Sequence, residues 1–243
     1  MKNHFTAIIF AVAIITAAFI FGNAVVNRNQ KDGTIAVTGL GKTDFTSDLI
    51  VWEAKFSQSN LSLKDGYSKL KQDRITILEY LKANGLPDSV IVFSAVETKK
   101  NTKPNYSENG KYLGETFIGY TLMQTVHVDS KAVELVETIS REVTDLLNKG
   151  IQLYSIAPRY YYTKLEDLKI EMIAQATENA NLRAKRIAEN SGAKLNDLVS
   201  ANMGIFQITG QNSNENYSWG GVYNTSSKEK TASITMKLIY KVD

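Results

Sequence analysis

Few side chains in this chain could do chemistry. The 243 residues include two histidines, His4 inside an apolar N-terminal run and His127 in the body. One imidazole is short of a mechanism. A general base needs a nucleophile within reach, and a metal centre needs several ligands. His127 falls opposite an apolar strand face, beside Thr121, Thr125 and Asp129, and reads as a surface or interface histidine. Glu166-Asp167 could pose as a carboxylate pair, but acids in a first helical turn are explained by the helix dipole. Neither Gly-x-Ser-x-Gly nor His-Glu-x-x-His occurs. Cysteine is absent, which excludes disulfides, thiolate metal sites and cysteine nucleophiles.

Three other features bear on binding. Ala36 to Thr43, AVTGLGKT, nearly matches a phosphate-binding P-loop, with alanine in place of the first glycine. A P-loop opens a helix, whereas FTSDLIVWEAKF alternates like a strand, so the glycines are expected in a turn or bulge. Arg183 projects onto the apolar side of its helix, between Ala176 and Ile187, where a charge must snorkel or find a carboxylate. A structural ion pair, a subunit contact and an anion site are the roles open to it. Tyr217, Trp219 and Tyr223 stand among Ser, Asn and Gly, which suits recognition of sugars, peptides or subunits, or a loop folded over its own hairpin.

Charge narrows the partners further. Of 28 basic residues, Lys2 and Arg28 lie in residues 1–30 with no acid, leaving 26 against 25 acidic residues elsewhere. A nearly neutral body lacks the basic footprint of a phosphate-backbone binder, so no nucleic acid partner is expected. Phe5 to Val26 carries no charge. At roughly 1.5 Å per residue this run reaches about 33 Å, enough for a transmembrane helix. Residues 1–30 are therefore expected to be a membrane anchor, or else a cleaved signal segment with Gly22 and Ala24 before the cut. Either way the body, 31–243, belongs outside the cytoplasm.

The elements that position these residues follow from periodicity. After Asp32-Gly33 and a short strand, Ile50, Trp52, Ala54 and Phe56 alternate inward against Glu53 and Lys55. Ser62, with Asp65 three later, opens a helix burying Leu63, Tyr67, Leu70, Ile77 or Leu78, and Leu81, closed by Gly85 and Pro87. Strands are expected at 90–98 and 116–128, with a long polar loop, 99–115, between them. A second helix carries Val133, Val136, Ile139, Val143 and Leu146, and ends at Gly150. Strand 151–162 leads to helix 164–191, whose Ala176, Ala180, Ala184 and Ala188 share one side with Leu165, Met172, Ile173 and Ile187. A strand at 198–208, a polar loop at 209–229 and a final strand burying Ala232, Ile234, Met236, Leu238, Tyr240 and Val242 complete the chain.

The order strand, helix, strand, loop, strand occurs twice, over 49–128 and 151–242, joined by helix 131–148. The expected class is α+β, two similarly ordered units with helices packed on mixed or antiparallel sheet.

Three segments together resemble the SIMPL-domain family of bacterial envelope proteins, which includes periplasmic immunogenic and oxidative-stress-defence proteins. They are Ile35–Gly39 with Gly41; Pro104, Tyr106 and Gly119-Tyr120; and Ala176, Ala180, Arg183-Ala184, Ile187-Ala188, Gly192 and Leu195. Asn196 stands where glycine is common, and the proline usual before the second strand is missing at Thr46-Ser47-Asp48. The resemblance spans roughly residues 33–243. It implies an α+β domain exported to the periplasm or cell surface that often self-assembles into rings or larger channel-like oligomers, with no cofactor and no established catalytic residue. The leading expectation is a non-enzymatic envelope protein, tethered to the membrane by residues 5–26 and forming homo-oligomers. The alternative is a binding module for a glycan, lipid or peptide of unknown identity, using Tyr217, Trp219 and Tyr223.

Overall fold

The computed structural model describes residues 2–29 and 33–243, with side-chain surroundings in the first stretch given for residues 9–25. The first helix, α1, spans Lys2–Asn29. No helix among the described residues is long and apolar enough to cross a membrane. The expected transmembrane span, Phe5 to Val26, is therefore not supported among the described residues. Its ends, Phe5 and Val26, and Asp32 lie outside the described side chains.

The body is α+β. Strands β1 (Gly33–Thr46) and β2 (Leu49–Asn60) precede helix α2 (Leu63–Ala83). Then come β3 (Ile91–Phe93), β4 (Glu97–Tyr106), β5 (Tyr112–Ser130) and helix α3 (Val133–Glu142), extended by a 3-10 segment, Val143–Lys149. Short strands β6 (Leu153–Ser155) and β7 (Arg159–Tyr161) lead to helix α4 (Leu165–Ser191) and strands β8 (Leu195–Met203), β9 (Gln207–Gly210) and β10 (Glu229–Val242). One sheet has the order β3-β5-β2-β6, with β4 also on β5 and β7 also on β2. The other has the order β1-β10-β8, with β9 also on β10. The chain forms two compact units. One comprises Lys42–Met172 and Ile205–Ser233; the other comprises Met1–Gly41, Ile173–Gly204 and Ile234–Asp243.

In the larger unit, α2 and α3 cover one face of β2 and β5. Ile50, Trp52, Ala54 and Phe56 of β2 are fully buried there, as alternation requires. From α3 and its extension, Val133, Val136, Ile139, Val143 and Leu146 all enter the same core. The α2 stripe differs from expectation. Gly66, Leu70, Ile77 and Leu81 face inward, while Leu63 and Tyr67 stay exposed. Gly66 leaves room for Leu122, whose Cδ1 would lie 2.8 Å from a Cβ there.

Three boundaries depart from the periodicity reading. The strand β1 runs unbroken through Gly39 and Gly41, so those glycines make no turn. A Cβ on Gly39 would lie 2.0 Å from Ala176 O and 2.5 Å from Ala180 N. Gly39 and the alanine stripe are two halves of one close approach between strand and helix. Secondly, 99–115 is not a loop but most of the β4–β5 hairpin, registered from Glu97 opposite Met123 to Tyr106 opposite Tyr112. Water bathes both faces of this ribbon, so no apolar period marks it. Thirdly, β6 and β7 do not open a second sheet. They pair with β2, and β1 takes the place beside β10.

Candidate functional site

On α4 the buried residues are Leu168, Met172, Ala176, Ala180, Ala184 and Ala188, each one helical step of four from the last. Arg183 is on the exposed flank, not within the apolar side, and Ile187 is half exposed beside it. Its Nη1 donates to Thr38 O at 2.9 Å, so the partner is a backbone carbonyl rather than a carboxylate. One residue pair along, Leu40 N donates to Asn179 Oδ1 at 3.2 Å. The strand β1 is outermost in its sheet. Main-chain groups on such an edge invite pairing with other chains unless side chains occupy them. Arg183 and Asn179 occupy two of them. Leu182, Arg183, Arg186 and Ile187 then form, with Ala36–Thr38, an open recess along this edge.

The aromatic loop, residues 211–228, is built from the inside. Gln207, buried, donates from Nε2 to Ser218 O at 2.8 Å and accepts from Val222 N at 2.9 Å. Glu215 accepts from Gly210 N at 2.9 Å and from Asn224 Nδ2. The Gly210 N–H first, and then Asn224, hold the Glu215 carboxyl below its ordinary range. These bonds close the loop on itself and leave its aromatics to solvent. Trp219 is 95 % exposed, and Tyr217 is exposed too. Tyr223 turns back instead, with its ring 6.5 Å from that of Tyr161 and 5.7 Å from Lys230 Nζ. The structure therefore does not gather the three aromatics into one cradle.

Lys230 escaped the sequence reading. It is 1 % exposed, donates to Tyr160 O, and forms no salt bridge among the described residues. Burial lowers its pKa to about 8. The signal was available, because Lys230 precedes Ala232 by two residues and period 2 carries the inward face back to it.

His127 lies on the face of β5 away from the helices, as alternation predicts, and is in register with Glu53. Its Nδ1 is 3.6 Å from Glu53 Oε1, which also receives Arg159. The cluster sits on a shallow surface bounded by Val51, Val92 and Asp129. It holds a base and an acid, and the Ser89 hydroxyl lines the same surface without a hydrogen bond to either. Glu166 and Asp167 are exposed in the first turn of α4. Among the described residues no group of three or more His, Asp or Glu could hold a metal.

No curated protein matches the chain. A family model does: SIMPL, described as a protein of unknown function (DUF541), matches residues 35–237, from the glycine-bearing edge strand through α4 to the final strand, and the chain belongs to that family.

Proposed function

We propose that this is a non-enzymatic protein of the cell envelope, with an extracytoplasmic body that self-assembles through the β4–β5 ribbon. The observation that supports this is the ribbon itself. Beyond the pairing of Asn60 with Tyr120 it has no third strand among the described residues. It exposes Tyr106, Tyr112, Leu113, Phe117 and Ile118. Isolated surface apolar residues need no account, but five on one ribbon with free main-chain edges suit pairing with a second copy. The apolar N-terminal run would carry the body out of the cytoplasm, cut or retained. Envelope stress defence is the process that the family resemblance suggests.

The test is sedimentation of the full chain in mild detergent across a wide concentration range. Concentration-dependent oligomers that dissociate in a Leu113→Ser, Phe117→Ser variant support the reading. A strict monomer at high concentration rejects it. The mass of the mature protein in the membrane fraction separates a retained segment from a cut one.

A second reading is a binding module for a glycan, lipid or peptide, favoured by the nearly complete exposure of Trp219 on an ordered loop. Retention on glycan, liposome and peptide arrays that vanishes in Trp219→Ala would support it; no retention on any of them would set it aside.

A further inference from the structure

The β4–β5 ribbon carries two bulges, and both act on its aromatic side chains. Between the pairs Asn101–Gly119 and Thr102–Phe117, Ile118 has no partner; between Asn105–Gly114 and Tyr106–Tyr112, Leu113 has none. Gly119 and Gly114, at φ 128° and 104°, supply the backbone that each kink needs. Side chains alternate along a regular strand, so Tyr120 and Phe117 would face opposite ways, as would Phe117 and Tyr112. Each bulge shifts that alternation by one residue. The first turns Phe117 onto the Tyr120 face, and the second adds Tyr112. Ring contacts agree: Phe117 lies 5.0 Å from Tyr120, and Tyr112 lies 5.8 Å from Tyr106. Bulges disrupt the ladder, so two that re-aim aromatics to one side mark that side as a working surface.

This face continues the one that Leu122 turns into the core. Beyond Tyr120 it is uncovered, with Phe117, Tyr112 and Tyr106 exposed by 40, 54 and 60 %. The opposite face is polar and satisfied within itself. There Asn101 Nδ2 donates to Thr121 Oγ1 at 2.7 Å and Asn105 Nδ2 to Thr116 Oγ1 at 2.8 Å. Glu97, Lys99 and Lys103 share that polar face.

The aromatic face holds two charges, Lys100 opposite Tyr120 at the root and Glu115 opposite Pro104 nearer the tip. Lys100 Nζ stands 5.6 Å over the Phe117 ring, and neither residue forms a salt bridge among the described residues. The turn beyond adds one charge of each sign, Glu108 and Lys111. A cation at one end of an aromatic stripe and an anion towards the other make the face complementary to itself when turned end for end. Stacked in the same direction, it would set like charges together.

We propose, resting on the assembly reading, that two copies stack their ribbons face to face and end for end. Aromatic stripe meets aromatic stripe, and Lys100 of each copy lies beside Glu115 of the other. An anionic lipid surface selects an excess of lysine, which this balanced face lacks. A contact of ribbon size is small for a lasting dimer, so each one is weak by itself.

The test is sedimentation of the full chain in mild detergent with charge reversals. Lys100→Glu and Glu115→Lys should each weaken association at least fivefold, because each sets like charges together. The double variant, and an equimolar mixture of the two single variants, should restore it to within about twofold of the parent. Lys99→Glu makes the same charge change on the polar face and should leave association within about twofold. The mixture stays informative should the double variant fold poorly. Association that is lost in Phe117→Ser but indifferent to both reversals overturns this arrangement and leaves the ribbon assembly standing. Reversals that neither the double variant nor the mixture rescues overturn it equally. A parent that is monomeric at every concentration removes both readings; amide shifts of Phe117 and Tyr112 on adding phosphatidylcholine bicelles would then give the face to lipid.

Discussion

Arg183 Nη1 donates to Thr38 O across 2.9 Å, joining the exposed flank of α4 to the outer edge of β1. Removing this donor in Arg183→Ala frees an edge carbonyl. Because the pair is exposed, the stability cost should be about 1 kcal/mol or less. Association should rise more visibly than stability falls, since an uncovered edge recruits strands. Light scattering beside a thermal melt checks both, and a variant that melts lower without associating more would contradict an edge-guarding role.

Gly39→Ala should be severe. The new methyl would meet the α4 backbone at Ala176 and Ala180, atoms that cannot rotate away. A loss of roughly 3 kcal/mol or more is expected from moving a helix off its strand. Ala180→Leu, which presses the same contact from the other side, should cost ~1–3 kcal/mol. Urea unfolding measures both, and near-native midpoints would remove the close-approach account.

Lys230 makes stability depend on alkaline pH. Its folded pKa is about 8, below the ordinary value of 10.5. Between those values the unfolded chain binds the extra proton, so stability rises with pH from about 8 to about 10.5 and is flat below. Lys230→Met should abolish that rise and stabilise the protein near neutrality by on the order of 2 kcal/mol. The readout is the difference in unfolding free energy between parent and variant at pH 7 and pH 10, which cancels other titrations.

The Glu215 loop should respond to acid. With its folded pKa held down, Glu215 contributes stability above the unfolded carboxyl value that is lost as pH falls through the folded one. The Gly210 amide, which donates to Glu215, should lose protection against exchange, measured relative to its intrinsic rate at each pH, at low pH and in Glu215→Gln at neutral pH. Unchanged exchange at Gly210 in the variant would mean the backbone alone sets the loop.

Elements with one buried face were legible because their periods are local. Ile50 to Phe56 alternates and Val133 to Leu146 steps by helical turns, and both enter the core as read. The β4–β5 ribbon was illegible because Lys99 to Asn105 has no dry side to betray a strand. Pairings were illegible for another reason. That Tyr160 sits beside Ile50 is a non-local fact that no window around either residue contains. Of the candidate site residues, exposure of Trp219 and Tyr217 followed from composition, the burial of Lys230 lay in the period of β10, and the partner of Arg183 needed the third dimension.

The sheet that seats β1 beside β10 has a temporal consequence. Thr231 Oγ1 donates to Asp44 Oδ1 across 187 positions of chain. During synthesis the early strand has its neighbour only after nearly everything between them has emerged. Until then its edge is open to chaperones, proteases and sister chains, so the rate of delivery sets the period of vulnerability. A chain stalled or clipped before Glu229 would leave β1 and β8 alike without the strand between them.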